Sequence, residues 1–335
     1  MRTATDWNAV LQDALPKFGA ATIAVIVFFA ILLLVFLAAG YASGRIARPI
    51  TILILLGPAI LLMIIGLVIP AIRTVVLSFY DANSIKFVGG ANYHYAFTNP
   101  DIQRVLINTA MWIIITPIVA TALGLFLAIL IDKMKHESVA KSLIFLPMAI
   151  SFVGASIIWG LVYEWRQNTP GTNQVGLLSQ IVIWLGWKNP PDWLLWQPWN
   201  TFLLMVIMIW VQTGFAMVVL SAAIKNVPGD VLEAASLDGA TGFGLFRRIT
   251  LPMVRGTVIV VLTTIMIAVL KIFDIVATMT GGNYSTSVLA NEMFNQTFVQ
   301  GDAGHGAALA VVLFACVIPL VVYNVVQLRK ERTVR

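Results

Sequence analysis

Asn226-Val-Pro-Gly-Asp-Val-Leu-Glu-Ala-Ala-Ser-Leu-Asp-Gly-Ala-Thr-Gly-Phe-Gly-Leu-Phe-Arg-Arg-Ile-Thr-Leu-Pro252 is a polar, glycine-rich stretch lying between two apolar ones. Roughly Phe202–Ile224 precedes it and Gly256 to about Ala277 follows it. Each is close to the twenty apolar residues that a helix needs to cross a bilayer core. The stretch between is too polar to be a span and too patterned to be slack. Pro228-Gly229 ends the preceding helix, because proline lacks the amide that a continuing helix requires. Asp230 and Glu233 have the spacing of a capping box, which predicts a short helix over Val231–Asp238. Gly239 closes it, being best able to take the left-handed turn at a helix end. Thr241 or Gly242 opens a second short helix through Arg248, and Pro252 sets the start of the next span. Ala234 and Ala235 allow close approach of another backbone, Glu233 offers a charge, and Phe243, Leu245 and Phe246 supply apolar surface. On this chemistry alone, a helix docking into a partner's groove and a linker resting on the bilayer are both open.

The same length criterion finds more spans on either side: Ala21–Ala39, Pro49–Ile72, Val105–Ile131, Ser142–Tyr163 and Gly306–Leu328. Hydrophobic residues make up 59% of the chain and charged ones 11%, against roughly 45–50% and about 25% in soluble globular domains. So few charges could not cover that much apolar surface in water, and lipid must be the solvent for most of the chain. The fold class is all-α, a polytopic transmembrane helix bundle of about seven spans. Asp6, Asp13 and Pro16 precede the first apolar run, without the basic start and small-residue cleavage site of a signal peptide, so that run reads as a retained span. The chain divides into an N-terminal tail and first span over 1–48, a transmembrane domain over 49–328 with the loop 226–252 inside it, and a basic tail over 329–335.

Lysine and arginine set the orientation. With the C-terminus cytoplasmic, Arg45, Arg48, Lys133, Lys135, Lys141, Lys225, Arg247, Arg248, Arg255, Arg329, Lys330, Arg332 and Arg335 lie inside, thirteen of the 21. Arg2, Lys17, Arg73, Lys86, Arg104, Arg166 and Lys188 lie outside, and Lys271 stays in the membrane. The bias predicts an external N-terminus. A net charge of +6 spread over short loops reads as orientation, not nucleic-acid binding.

Glu233-Ala234-Ala235, then Gly239, then Ile249-x-Leu251-Pro252 after nine residues, resembles the EAA loop of bacterial binding-protein-dependent ABC importer permeases. The resemblance implies a core of six helices, of type I, to which the first span is an addition. It implies that Glu233, Ala234, Ala235 and Gly239 contact a separate ATPase, and that Ile249, Leu251 and Pro252 set the loop's return. Ser78-Phe79-Tyr80-Asp81, Phe87-Val88-Gly89-Gly90-Ala91-Asn92-Tyr93, Asn108-Thr109, Phe145-Leu146-Pro147 and Phe273-Asp274 with Thr280-x-Gly282 are similar to the carbohydrate branch, of the maltose and glycerol-phosphate permease kind. Asn283 stands where proline is expected, and Thr280–Ala290 looks more like the α-glucoside permeases. The implied partners are an ABC ATPase dimer, a second homologous permease and an extracytoplasmic solute-binding protein, in the bacterial inner (plasma) membrane. An ion-gradient-driven transporter or channel is the rival reading.

No G-x-x-x-x-G-K-[ST] loop is present, so no cofactor is expected on this chain and ATP is expected to be hydrolysed by the partner subunit. No catalytic or metal constellation is expected either: His94, His136 and His305 fall in different segments, and Cys316 is alone. Lys271 and Asp274, three apart inside the sixth span, are expected to share a helix face. As intramembrane charges they are candidates for the substrate pathway, or for an ion pair that fixes packing. Gln212, Thr213, Asn291, Glu292 and Asn295 offer further hydrogen bonds. Between Glu164 and Asn200 lie Trp165, Trp184, Trp187, Trp193, Trp196 and Trp199, six of the ten tryptophans. They read as an interfacial belt, with Val175–Trp187 along the membrane surface, or as sugar-stacking rings.

Overall fold

The computed structural model describes residues 16–17, 19–20, 22–23, 25–31, 33, 47–132, 134–167 and 174–333. The expected first span, Ala21–Ala39, falls partly on these and is helical where described; its remainder, residues 1–15, Lys133 and the last two residues of the basic tail lie outside them. The chain forms two compact units, residues 1–73 and 74–335.

Helix α1 (Ala47–Met63) belongs to the first unit and continues through a π-helical turn, Ile64–Val68, into α2 (Ile69–Leu77), of which residues 69–73 belong to that unit. Leu55–Leu77 is long and apolar enough to cross a bilayer. Pro58 sits inside α1 without ending it.

In the second unit, α3 (Ala91–Thr98) leads into α4 (Pro100–Ile131), whose start is fixed by Asn99: its side chain accepts from the amides of Asp101 and Ile102. The cap explains why this helix begins five residues before the apolar run suggests. The next expected span, Ser142–Tyr163, is not one straight helix. It is α5 (Glu137–Phe145), a 3-10 turn over Leu146–Ala149, and α6 (Phe152–Val162), with an angle of 101° between the two halves. Pro147 removes an amide in the turn, and the Ser151 side chain accepts from the Gly154 amide to start α6 afresh. Then come α7 (Leu177–Trp184), a short helix between spans, and α8 (Trp199–Lys225).

Helix α8 is the hub of this unit. Of its most apolar window 61% is buried, against 33% for α4. It packs tightly on α4 at Gly124, where a methyl group would collide with Ala216 and the Met217 backbone. Small residues at such crossings let membrane helices approach until their backbones touch. Trp112, Met205, Met208, Met217 and Ile265 are among the side chains that fill the core around it.

After α8 come α9 (Gly229–Leu237), α10 (Gly242–Leu245), a π-helical turn Phe246–Thr250 and α11 (Leu251–Leu270). Gly242–Leu270 is continuous, 29 residues long. The expected sixth span therefore ends earlier than its apolar pattern implies. Beyond it lie α12 (Asp274–Met279), α13 (Leu289–Phe294), a π turn Asn295–Val299 and α14 (Ala303–Thr333). Among the described residues, five helices are long and apolar enough to cross a membrane, or six if α5 and α6 together make one bent span. The only strand-like pairing among them is an isolated antiparallel bridge between Tyr80 and Phe87.

Candidate functional site

The loop between α8 and α11 folds from its sequence in three steps. Asn226 ends α8, its amide shared between the carbonyls of Ala222 and Ala223, and Val227 is buried beneath it. Pro228, extended at φ −58° and ψ 130°, turns the chain into α9. The helix begins at Gly229 with no side-chain cap, so the expected capping box between Asp230 and Glu233 does not form. Asp230 lies two positions past the N-cap, which is Pro228, and acts only as a negative charge in the first turn, where the helix dipole favours it. The other end closes as expected. Gly239 has φ +87°, its amide donates to Ser236 O at 3.1 Å, and the Ala240 amide donates to Ala235 O at 2.9 Å. This is the Schellman arrangement, which satisfies carbonyls that a helix end otherwise leaves bare.

No residue of α9 is buried. Glu233, Ala234 and Gly239 are exposed and Ala235 is half-buried. Leu237 is 89% exposed and Phe243 74% exposed, values that mean neither has a place in the chain's own core. Leu232, Glu233, Ser236 and Leu237 line an open concavity of about 450 Å³. Among the described residues Glu233 forms no ion pair. On the return, Ile249 and Leu251 are half-buried and Pro252 is exposed in the first turn of α11. The seven residues thus share one segment, but only Ala235, Ile249 and Leu251 touch the rest of the fold substantially.

Lys271 and Asp274 do not share a helix face. Lys271 caps α11 at φ −96°, Phe273 breaks the backbone at φ −130° and ψ −53°, and Asp274 opens α12. Both side chains are exposed, and no ion pair joins them. Of the other polar candidates, Thr213 donates to Ile209 O within its own helix, Asn291 donates to Ser287 Oγ, and Glu292 accepts from Gln296. These groups are committed to the protein itself. His305 is likewise engaged, 2.6 Å from Asp302 and stacked on Tyr95. Two of the six clustered tryptophans are internal donors: Trp165 to Pro190 O and Trp193 to Ser179 Oγ, both at 2.8 Å. Trp184, Trp187 and Trp199 are exposed.

The structure adds two features that local sequence patterns do not mark. The turn from Thr280 to Leu289 is bolted to distant helices. Asn108 donates to the carbonyls of Ser285 and Ser287 at 2.7 and 3.0 Å, Asn200 donates to Tyr284 O at 2.9 Å, and the Leu289 amide donates to Thr109 Oγ1 at 2.9 Å. These bonds hold Tyr284 and Ser285 in the left-handed region, at φ 56° and 63°. Arg104, Asn108, Gly282, Ser285 and Glu292 line a cavity of about 190 Å³ beside it. The second feature is an ion-paired group, Lys225 with Glu137 and Asp132, at the end of α8 that leads to α9.

Residues 120–335 match the family of binding-protein-dependent transport system inner membrane components. The chain is 46% identical over 278 residues, 83% of its length and 99% of the relative's, to the osmoprotective compounds uptake permease protein GgtC of Synechocystis sp.. It is 44% identical over 288 residues to the alpha-glucoside transport system permease protein AglF of Rhizobium meliloti, covering 86% of this chain and 85% of that one. In structure it resembles a chain of the bacterial alginate ABC transporter crystallised with an alginate pentasaccharide-bound periplasmic protein. The TM-score is 0.70 at 21% identity, covering 83% of this chain and 94% of the other.

Proposed function

The chain belongs to the family of binding-protein-dependent transport system inner membrane components, and on that premise we propose that it is the permease of an ATP-driven sugar importer, coupled through residues 226–252 to a separate ATPase. The observation that carries the coupling is the state of α9, a helix closed at its C-terminal end and buried nowhere. Its Leu237 and the nearby Phe243 are held almost wholly in the open. Apolar side chains presented this way on a formed helix suit a protein groove. Burying each would contribute about 1.5–3 kcal/mol to docking.

In this reading Glu233, Ala234, Ala235 and Gly239 meet the ATPase dimer, and Ile249, Leu251 and Pro252, inside the continuous helix Gly242–Leu270, carry the return of the loop into the next span. ATP is bound and hydrolysed by the partner, and closure of the ATPase pair moves α9 and swings the spans. The C-terminus is cytoplasmic and the N-terminus external. A second, homologous permease completes the path and an external solute-binding protein delivers the cargo. Lys271 and Asp274, exposed beyond the end of α11, are candidates for polar groups along that path. The names of the relatives support a di- or oligosaccharide, and the likeness to AglF favours an α-glucoside among these. The relative GgtC makes an osmoprotective compound the second candidate.

Proteoliposomes carrying this chain, the second permease and the ATPase test the reading. With the binding protein present, ATP inside is expected to drive uptake of an α-glucoside and an ion gradient without ATP to drive none. Uptake that follows the gradient and ignores ATP would make the chain a secondary transporter or channel subunit.

A further inference from the structure

Helix α5 has no buried residue among its nine, so packing alone holds it weakly. Two attachments fix it to α8. At one end a methyl group on Gly214 would collide with Ile144 O and crowd Phe145, so the two backbones meet there. At the other, Lys225 Nζ lies 2.6 Å from Glu137 Oε2. The first attachment joins the end of α5 to the middle of α8, and the second joins the start of α5 to the end of α8. The helices therefore lie antiparallel, pinned at two points that are about 16 Å apart along α8 and about 11 Å apart along α5, at 1.5 Å per residue. Glu137 also pairs with Lys141 within α5. Lys225 Nζ is 3.7 Å from Asp132 Oδ1, a buried oxygen that has no hydrogen-bond partner among the described residues. Removing Lys225 would take away the countercharge that the described residues give that oxygen.

We propose that Lys225, Glu137 and Asp132 form a pin that makes α5 travel with the end of α8, relaying displacement of α9 to the bend before α6. The proposal rests on reading α9 as the helix that meets the ATPase. Only Asn226, Val227 and Pro228 separate Lys225 from α9, and Val227 is buried, so the connection is short and stiff. Beyond α5 the chain turns through 101° into α6, which packs on α12. Movement passed to α5 thus arrives at the segment that begins with Asp274. Charge attraction falls only as the inverse of distance, so the pin keeps its hold while the helices tilt. Lys225, Glu137 and Asp132 are positioning residues.

The test uses the full complex in proteoliposomes, with sugar uptake and ATP hydrolysis measured together. Lys225→Met keeps the stem and removes the charge; Glu137→Gln keeps length and an acceptor oxygen and is the variant least able to disturb folding. Each is expected to lower uptake about threefold while hydrolysis stays within about twofold, so that more ATP is used per sugar, an effect of the size one partly exposed ion pair can exert. Lys225→Arg is expected to restore the parent ratio. An unchanged ratio in both Lys225→Met and Glu137→Gln overturns the pin, as does a fall in uptake and hydrolysis alike that Lys225→Arg does not relieve. An ATPase that fails to co-purify with the parent chain would instead overturn the reading of α9 and leave the pin's geometry standing.

Discussion

The loops at 226–252 and 280–291 are both glycine-rich connections between membrane helices, yet they are built in opposite ways. In the first, Gly239 takes a left-handed turn in open space, and nothing lies within 4 Å of where a methyl group would go. Its helix holds its shape through its own backbone and turns Leu237 outward. In the second, Gly282 takes the same hand at φ +82°, but a methyl there would collide with Asn291 Nδ2. Its neighbours Tyr284 and Ser285 are held in a conformation that side-chain-bearing residues seldom adopt, by bonds from Asn108 and Asn200. One loop holds apolar side chains away from the chain's own core. The other is a fixed part of the scaffold, where distant helices over-determine a strained backbone.

The contrast breaks first at its rigid end. Gly282→Ala is expected to cost about 2–4 kcal/mol, left-handed strain plus overpacking, read as a large drop in melting temperature of the purified protein. Asn108→Ala leaves two carbonyls without their donor and is expected to cost about 1–3 kcal/mol, again as a lowered melting temperature. Gly239→Ala meets no neighbour, so it is expected to cost about 1 kcal/mol while uptake collapses. Equal melting temperatures for Gly239→Ala and Gly282→Ala would erase the distinction between the loops. Glu233→Ala is expected to shift stability by less than about 0.5 kcal/mol, insert normally and still abolish uptake.

The smallest effect belongs to a third turn. The amides of Ile85 and Lys86 donate to Asp81 and hold its carboxyl below the ordinary value of 3.8. A lowered carboxyl contributes stability above its unfolded value and loses it as pH falls through the folded one. Asp81→Asn is therefore expected to be slightly less stable than the parent at neutral pH, and the gap to close below about pH 4, in paired melting curves.

Much of this was legible from residue order. The apolar runs located the five helices that are long and apolar enough to cross a membrane among the described residues, because lipid admits only segments that satisfy their own backbones. The turn at Gly239 followed from glycine's freedom at a helix end. The misreadings have local causes. Pro147 alone did not announce a 101° bend, since prolines at 58, 117 and 319 sit inside continuous helices. The end of α11 at Leu270 carries no proline or glycine, so Lys271 and Asp274 looked like neighbours on one helix. The capping box failed by two register positions, because Pro228 takes the N-cap place and the helix starts at Gly229. The bolts on the 280–291 loop join residues 84 to 180 positions apart, and Lys225 meets Glu137 across 88. Such pairings arise from how helices pack and leave no periodic trace.

The most direct measurement places a photo-crosslinking residue at Leu237 in the assembled transporter in living cells. Irradiation is expected to join this chain to the ATPase subunit in one defined adduct, and Glu233→Ala to weaken that adduct. Crosslinks to phospholipid alone, with transport intact, would contradict the account and make α9 a helix that rests on the bilayer.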